Sequence, residues 1–439
     1  MTRELASARR WTRRAVASIV VTVVGGGAFA QSENKALNAE GLQAGGMIFV
    51  PSLTFGYSYD TNVLQEPEIA EPEPDQVLTL QPAVQLTIPF SNSSFSFGDV
   101  LTYVDYKHTP QIQGKTSNDA VADLTLNFGS LNQLEINAHN IAGVADTLAF
   151  DLGGEIAFQG NAYQLHTEAV SLSRLLPGTR GYRFGLQRSA VRFDPTITAV
   201  SAFYNYRGFE GEASYFQPLS PNTRLAFGYL GSRYEHSDVG NPDVVQRTEN
   251  GDVLYGQIEG QLGPRQPYIV RLGWQRLGFT DSEGGSLSGD FAGIVGDLKL
   301  SAIVGGGTMF TVGIQRSPYR SYESANSFYV FNLISGSVER LFLSGTSVGG
   351  SLGLSVNGYK QPTTYTLLPA PDPPDPPETV TIFREDRRVQ LEAHANIAVA
   401  KRLAFRVSLA RNRRYSNAPE GLFDYNNTVL FGGFVLGWI

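Results

Sequence analysis

From about residue 50 onward the chain repeats one pattern: a run of alternating apolar and polar side chains, a short turn, a second such run, then a longer polar stretch. Alternation with period two is the mark of a β-strand with one apolar and one polar face. Leu53, Phe55, Tyr57 and Tyr59 share a face opposite Ser52, Thr54, Gly56 and Ser58. Ala122, Leu124, Leu126 and Phe128 stand against Asp123, Thr125 and Asn127, and beyond the turn at 129–132, Leu134, Ile136 and Ala138 stand against Glu135, Asn137 and His139. The same division recurs for Tyr182, Phe184 and Leu186 against Arg183, Gly185 and Gln187, and for Gly211, Ala213 and Tyr215 against Glu210, Glu212 and Ser214. It continues in Tyr268, Val270, Leu272 and Trp274 against Arg271, Gly273 and Gln275, and in Leu391, Ala393, Ala395 and Ile397 against Gln390, Glu392, His394 and Asn396. One face of each strand suits hydrocarbon and the other suits water.

Connection lengths alternate as well. Short links fall near 89–94, 129–132, 176–179, 218–223, 263–267, 305–308, 341–346 and 399–401. Longer polar segments fall near 60–75, 108–118, 143–159, 194–198, 235–250, 281–288, 317–324, 359–385 and 411–425. Short periplasmic turns and longer external loops are the habit of outer-membrane barrels. The marks predict an all-β fold: a transmembrane antiparallel up-and-down β-barrel of about eighteen strands (16–18), wide enough to enclose an aqueous lumen. A soluble sandwich would not need the short and long alternation, and a propeller would show a blade repeat, which is absent.

The N-terminus reads as an address. Arg3, Arg9, Arg10, Arg13 and Arg14 form a basic head, 15–29 an apolar middle, and Ala28-Phe29-Ala30 a cleavage signature. The paired arginines also fit the twin-arginine route, but that route carries folded cargo, whereas barrel strands reach their membrane unfolded, so ordinary secretion is the expectation. The expected organisation is a cleaved signal peptide at 1–30, a periplasmic lead at 31–46 and an outer-membrane barrel at 47–439. Leu430, Gly432, Phe434, Leu436 and Trp438 form one face of a final strand, with Trp438 in the periplasmic aromatic belt, although the chain finishes on Ile439 where many barrels finish on Phe.

Composition agrees with hydrophobicity hidden in every second residue: 42% of residues are hydrophobic and mean hydropathy is only −0.14. There are 47 Gly, 26 Phe and 20 Tyr against 3 Met, which suits turns and strands rather than helices. With no cysteine, disulfides, thiolate metal sites and a Cys lipid anchor are excluded. A net charge of −7 argues against nucleic acid.

Candidate chemistry is sparse. The expected pore-lining set is Glu135, His139, Arg183, Glu210, Glu212, Tyr255, Glu259, Arg271, Asp297, Glu392 and Arg406, a hydrated wall of both signs without the like-charge rings of sharp ion selectivity. Tyr255 is the first candidate for stacking on a sugar ring. His139 with His166 and Glu168 could meet in the lumen as a base or metal site, but a polar pair satisfying its own hydrogen bonds is the favoured reading. His139 and His394 share the polar parity, which excludes a Ser/His pair facing lipid. No enzyme, metal or cofactor is expected. The acidic loop 60–75, with Glu66, Glu68, Glu71, Glu73 and Asp75, and the proline-rich 367–379 read as solvated surface loops, the second stiff and extended.

Pro51-Ser52-Leu53 and Tyr57-Ser58-Tyr59-Asp60-Thr61-Asn62-Val63 resemble the opening strand of a β-barrel porin family encoded beside exopolysaccharide synthesis and export genes, with Pro51, Tyr57, Asp60 and Asn62 as its motif residues. Arg413-Arg414-Tyr415-Ser416 and Asp424-Tyr425-Asn426 resemble the family's ending. The resemblance implies an outer-membrane pore acting as a non-enzymatic conduit for exopolysaccharide. Its expected partners are outer-membrane lipid, the barrel assembly machinery, polysaccharide and periplasmic export components. The alternatives are a general diffusion porin for small hydrophilic solutes and a docking barrel that binds surface polymer through its external loops.

Overall fold

The computed structural model describes residues 42–437, except 45, 110–115, 145–154, 156–161, 177, 194–203, 239–240, 264, 282–288, 322–325 and 367–378. The leader at 1–30, most of the lead at 31–46, most of the proline-rich segment, Trp438 and Ile439 lie outside the described residues.

In chain order the strands are β1 (Leu42–Ala44), β2 (Met47–Asp60), β3 (Asp75–Phe90), β4 (Ser93–Tyr106), β5 (Thr116–Phe128), β6 (Asn132–Val144), β7 (Ala162–Leu175), β8 (Gly181–Phe193), β9 (Tyr204–Ser220) and β10 (Thr223–Asp238), followed by β11 (Asn241–Gln261), β12 (Pro267–Asp281), β13 (Phe291–Val304), β14 (Thr308–Arg320), β15 (Phe328–Leu341), β16 (Ser347–Thr366), β17 (Thr379–Ala400), β18 (Leu403–Ser416) and β19 (Tyr425–Gly437). From β2 to β19 each strand pairs antiparallel with its sequence neighbours, and β19 returns to β2 through Gly437↔Ser52 to Val429↔Asp60. Eighteen strands therefore close a ring, and β1 only adds a short hairpin to the start of β2. Closure matters in lipid because it leaves no unpaired sheet edge.

The expected short links are the observed turns of one rim. Five of them use left-handed backbone, which in two cases Gly129 (φ 69°) and the pair Gly305 and Gly306 (φ 59° and 76°) supply without a Cβ clash. Climbing from this rim, the outward positions stay apolar for about eight residues, as in Tyr182, Phe184 and Leu186 or Tyr268, Val270, Leu272 and Trp274. At the usual rise and tilt that is roughly 20 Å, close to the apolar band of an outer-membrane barrel. Leu186, Leu254, Leu272 and Ile294 are all more than 60% exposed on this outer face, which only a hydrocarbon environment satisfies.

Above the belt the strands run further than the sequence pattern shows. Segments 235–250 and 359–385 read as loops, yet β10 and β11 pair up to Asp238↔Asn241, and β16 and β17 up to Thr366↔Thr379 after a register shift beyond Gly358. Beyond the membrane both faces carry polar residues, so alternation fades while backbone pairing persists. The faces also exchange character. Tyr163, Leu165, Val191, Phe193 and Tyr234 are buried on the inside, while His166, Glu168, Arg188, Arg207 and Arg233 point outward. This corrects the reading that His166 and Glu168 meet His139 in the lumen. His139 faces inward and bonds Asp119 (2.8 Å), whereas His166 lies across from Asn140 on the outer face and bonds Glu168 (2.9 Å).

Candidate functional site

Register places all eleven expected pore-lining residues on the inner face: Glu135 and His139 on β6, Arg183 on β8, Glu210 and Glu212 on β9, Tyr255 and Glu259 on β11, Arg271 on β12, Asp297 on β13, Glu392 on β17 and Arg406 on β18. Near the turn rim they pair with one another. Glu135 accepts from Ser171 (3.1 Å) and Arg183 (3.4 Å). Glu259 pairs with Arg224 and accepts from Gln257 (2.7 Å), whose carbonyl accepts from Arg271 (2.8 Å). Tyr255 is no open stacking platform. Its ring lies where a Cβ on Gly228 would sit, 2.3 Å from ring atoms, and the Arg271 guanidinium covers it 4.6 Å from the centroid, leaving it 8% exposed. Its hydroxyl donates to Glu212. The aromatic side chain fills the gap left by a wall glycine instead of facing cargo.

Charge is unevenly distributed around the wall. β5 to β9 present Asp119, Asp123, Glu135, Glu210 and Glu212 against Arg183, while β17 and β18 present Arg388, Arg406 and Arg414 beside Asp386 and Glu392. The inner faces of β2 to β4 and of β15 to β16 are mainly hydroxyl, amide and glycine, for example Ser52, Thr54, Gln81, Gln85, Ser335, Ser351 and Ser355.

At the rim opposite the short turns, described residues from several strands meet across the lumen. Pairing of β13 with β14 stops at Gly296↔Arg316, while β14 and β15 stay paired to Arg320↔Phe328, so the tip of that hairpin is released from the wall on one side. It leans into the lumen. Phe328 and Val330 pack on Leu277, Phe279, Phe291 and Val295 of the inner faces of β12 and β13. Arg320 lies 3.5 Å over the Tyr234 ring and 3.4 Å from the Glu249 carboxylate. Arg247 on β11 clamps the tip by donating to the carbonyls of Ser321 and Asn326, both at 2.9 Å.

From there the bonds cross the ring. The Ser321 hydroxyl donates to Glu155, a residue of the β6–β7 connection, and the Glu155 carbonyl accepts from Arg414 on β18 (3.2 Å). Arg414 also grips Asp386 (2.6 Å), which is shared with Arg384 (2.8 Å). Burial opposes the charge on Asp386, but Arg414 and Arg384 outweigh it and hold its carboxyl at about 2. Arg247, Glu249, Ser321, Arg384, Asp386 and Arg414 are each at most 3% exposed, in a place that an open mouth would flood. Buried charges persist only when paired and bonded in this manner.

This septum escaped the sequence reading. Its signal was the charge density flanking the outer loops, in Arg384-Glu385-Asp386-Arg387-Arg388 and Arg411–Arg414, which the loss of alternation made look like ordinary loop surface. The motif residues have local roles. Asp60 accepts from the Asn62 N–H (2.8 Å), and Asn62 exchanges bonds with Glu66 (2.8 and 2.9 Å), so these two residues tie the loop that leaves β2. Pro51 and Tyr57 lie on the outer face. Among the described residues no three His, Asp or Glu side chains converge as metal ligands.

The architecture is that of the closed β-barrels found among outer-membrane proteins. No family model and no curated relative matches the chain. Among solved structures, the outer membrane protein OpdK of Pseudomonas aeruginosa is similar over 89% of this chain and 99% of its own, at 11% identity and a TM-score of 0.43. OpdO of the same organism is similar over 89% and 97%, at 9% identity and 0.46. The FrpB iron transporter of Neisseria meningitidis (F5-1 variant, apoprotein) is similar over 86% of this chain at 8% identity and 0.48, and this chain spans 62% of its length. The closed pairing of β19 with β2, independent of those likenesses, is what makes the chain a barrel.

Proposed function

We propose that this chain is an outer-membrane conduit for hydrophilic cargo, exported polysaccharide being the class that suits it best, and that the described state is its closed form. One observation carries the reading: a polar inner wall leads from the turn rim to a septum of paired charges, which is built from a hairpin detached from the wall on one side. An apolar contact of Phe328 and Val330 seats the hairpin on one side, but the crossing from Ser321 through Glu155 to Arg414 is polar and charged, and such pairs add little stability over a hydrophobic core of the same shape, which suits a part that opens. The hydroxyl- and amide-lined sector from β2 to β4 and from β15 to β16 offers bonds to neutral, hydroxyl-rich polymers. The family resemblance of 51–63 and 413–426 points the same way. The outward apolar belt supports placement in the outer membrane.

Planar-bilayer recording of the refolded barrel tests this. Unaltered protein is expected to show rare, small openings, and Arg247→Ala, which releases the hairpin tip, frequent larger ones. If inserted Arg247→Ala protein conducts no more than unaltered protein, the conduit reading fails. Reversible block of the open variant by a neutral glucan from the turn-rim side, and loss of surface polysaccharide in a deletion strain, would support the cargo class.

A further inference from the structure

We propose that the outer wall from β8 to β12 binds the phosphate groups of an anionic glycolipid in the surrounding leaflet. Five arginines share the outward parity there: Arg188 and Arg192 on β8, Arg207 on β9, Arg233 on β10 and Arg276 on β12. They begin directly above the apolar belt, where Leu186, Leu254 and Trp274 end it. On β2 the same outward row carries Tyr57 and Tyr59 and no charge. Five arginines gather on these five neighbouring strands, while the rest of the outward row carries Arg316 on β14 and Arg387, Arg411 and Arg413 on β17 and β18, on a chain whose net charge is −7.

The heads are available. Arg188, Arg207 and Arg233 have side chains 54%, 64% and 67% exposed. Neighbouring carboxylates balance them only in part: Glu235 lies 3.2 Å from Arg207 and 3.9 Å from Arg233, and Glu168 lies 3.9 Å from Arg188. With Asp252 added, three acids face five guanidiniums across this sector. A guanidinium matches a phosphate through paired N–H donors and is weakly hydrated, so it suits the edge of a membrane. The occupant is a lipid and not a free anion because the arginines stand on the wall just above side chains that only acyl tails can cover.

The test uses the full-length barrel refolded in detergent, equilibrated with bisphosphorylated lipid A or with its fully dephosphorylated form, with retained lipid counted by native mass spectrometry. Unaltered protein is expected to retain the bisphosphorylated lipid about tenfold more, and the combined Arg188→Gln, Arg207→Gln, Arg233→Gln and Arg276→Gln variant to lose that preference. The corresponding set of Lys replacements should keep part of it. Equal retention of the two lipids by unaltered protein overturns the proposal, as does an unchanged preference in the Gln variant or displacement of the lipid by millimolar inorganic phosphate. Should the Gln variant fail to fold, the two-lipid comparison on unaltered protein decides alone. None of these readouts depends on conductance, so the proposal and the conduit reading can fail separately.

Discussion

His236 is 1% exposed, and the groups facing it are Glu249 and Arg247 from β11, Arg320 from the β14–β15 hairpin, and the ring of Tyr206, which itself packs on Tyr234. Burial, with help from the two arginines and against the bond to Glu249, pushes its pKa down from 6.5 to about 4. A group whose folded pKa is depressed contributes its stability above the unfolded value and loses it as pH falls toward the folded one. The septum should therefore be firm at pH 7 and weaken between pH 6.5 and 4, by up to about 1.4 kcal/mol for each pH unit crossed. Asp386, held at about 2 on the other side of the mouth, keeps its charge throughout that window, and Glu210, whose pKa burial raises, takes up its proton with the opposite sign, so the weakening belongs to His236. Bilayer recordings stepped from pH 7 to 4.5 should show rising open probability in unaltered protein and a flat response in His236→Gln. A response of the same size in His236→Gln would refute the assignment.

The strands themselves separate two environments with two rows of side chains. Leu272 is 63% exposed on the outer face about midway up the belt, and Gln275, of opposite parity on the same strand, looks inward. Leu272→Arg should cost about 2–4 kcal/mol, as arginine does near a bilayer midplane, whereas Gln275→Arg should leave folding yield in vesicles nearly unchanged. Urea-dependent refolding into vesicles measures both, and equal destabilisation would mean the faces are assigned wrongly. This part of the fold was legible in the sequence because each membrane-crossing run has one apolar row, so period two could be read residue by residue from Leu53 or from Leu124. The eleven inner-face residues follow from the same parity. The mouth was not legible, because above the belt Tyr163 and Phe193 turn inward while Arg188 and Arg207 turn outward, and the detachment of the hairpin at Arg316 is a pairing event that leaves no mark in composition. Tyr255 shows a further limit: its parity is plain from the sequence, but the glycine that it covers sits on a neighbouring strand.

For the molecule as a whole, everything above requires the sheet to be a ring. In an open sheet β2 and β19 would be the two most distant strands, and each would offer lipid a row of unpaired N–H and C=O groups costing several kcal/mol apiece. In the ring they are neighbours, with Thr54 opposite Val435 on the inner face and Phe55 opposite Phe434 on the outer one. Directly opposed antiparallel residues bring their Cβ atoms to about 4.5–5.5 Å, near the span of a disulfide. Because the chain has no cysteine, a cross-link can form only where one is introduced. Thr54→Cys with Val435→Cys, and separately Phe55→Cys with Phe434→Cys, should therefore oxidise within one molecule once the protein is folded in vesicles. At least one of the two pairs has the closer geometry, since hydrogen-bonded and non-hydrogen-bonded positions alternate along antiparallel strands. Cleavage at an introduced protease site in an external loop should then leave two fragments joined until reductant is added. If neither pair links intramolecularly in protein shown to be inserted, β19 does not meet β2, and the lumen, its wall and its septum lose their foundation together.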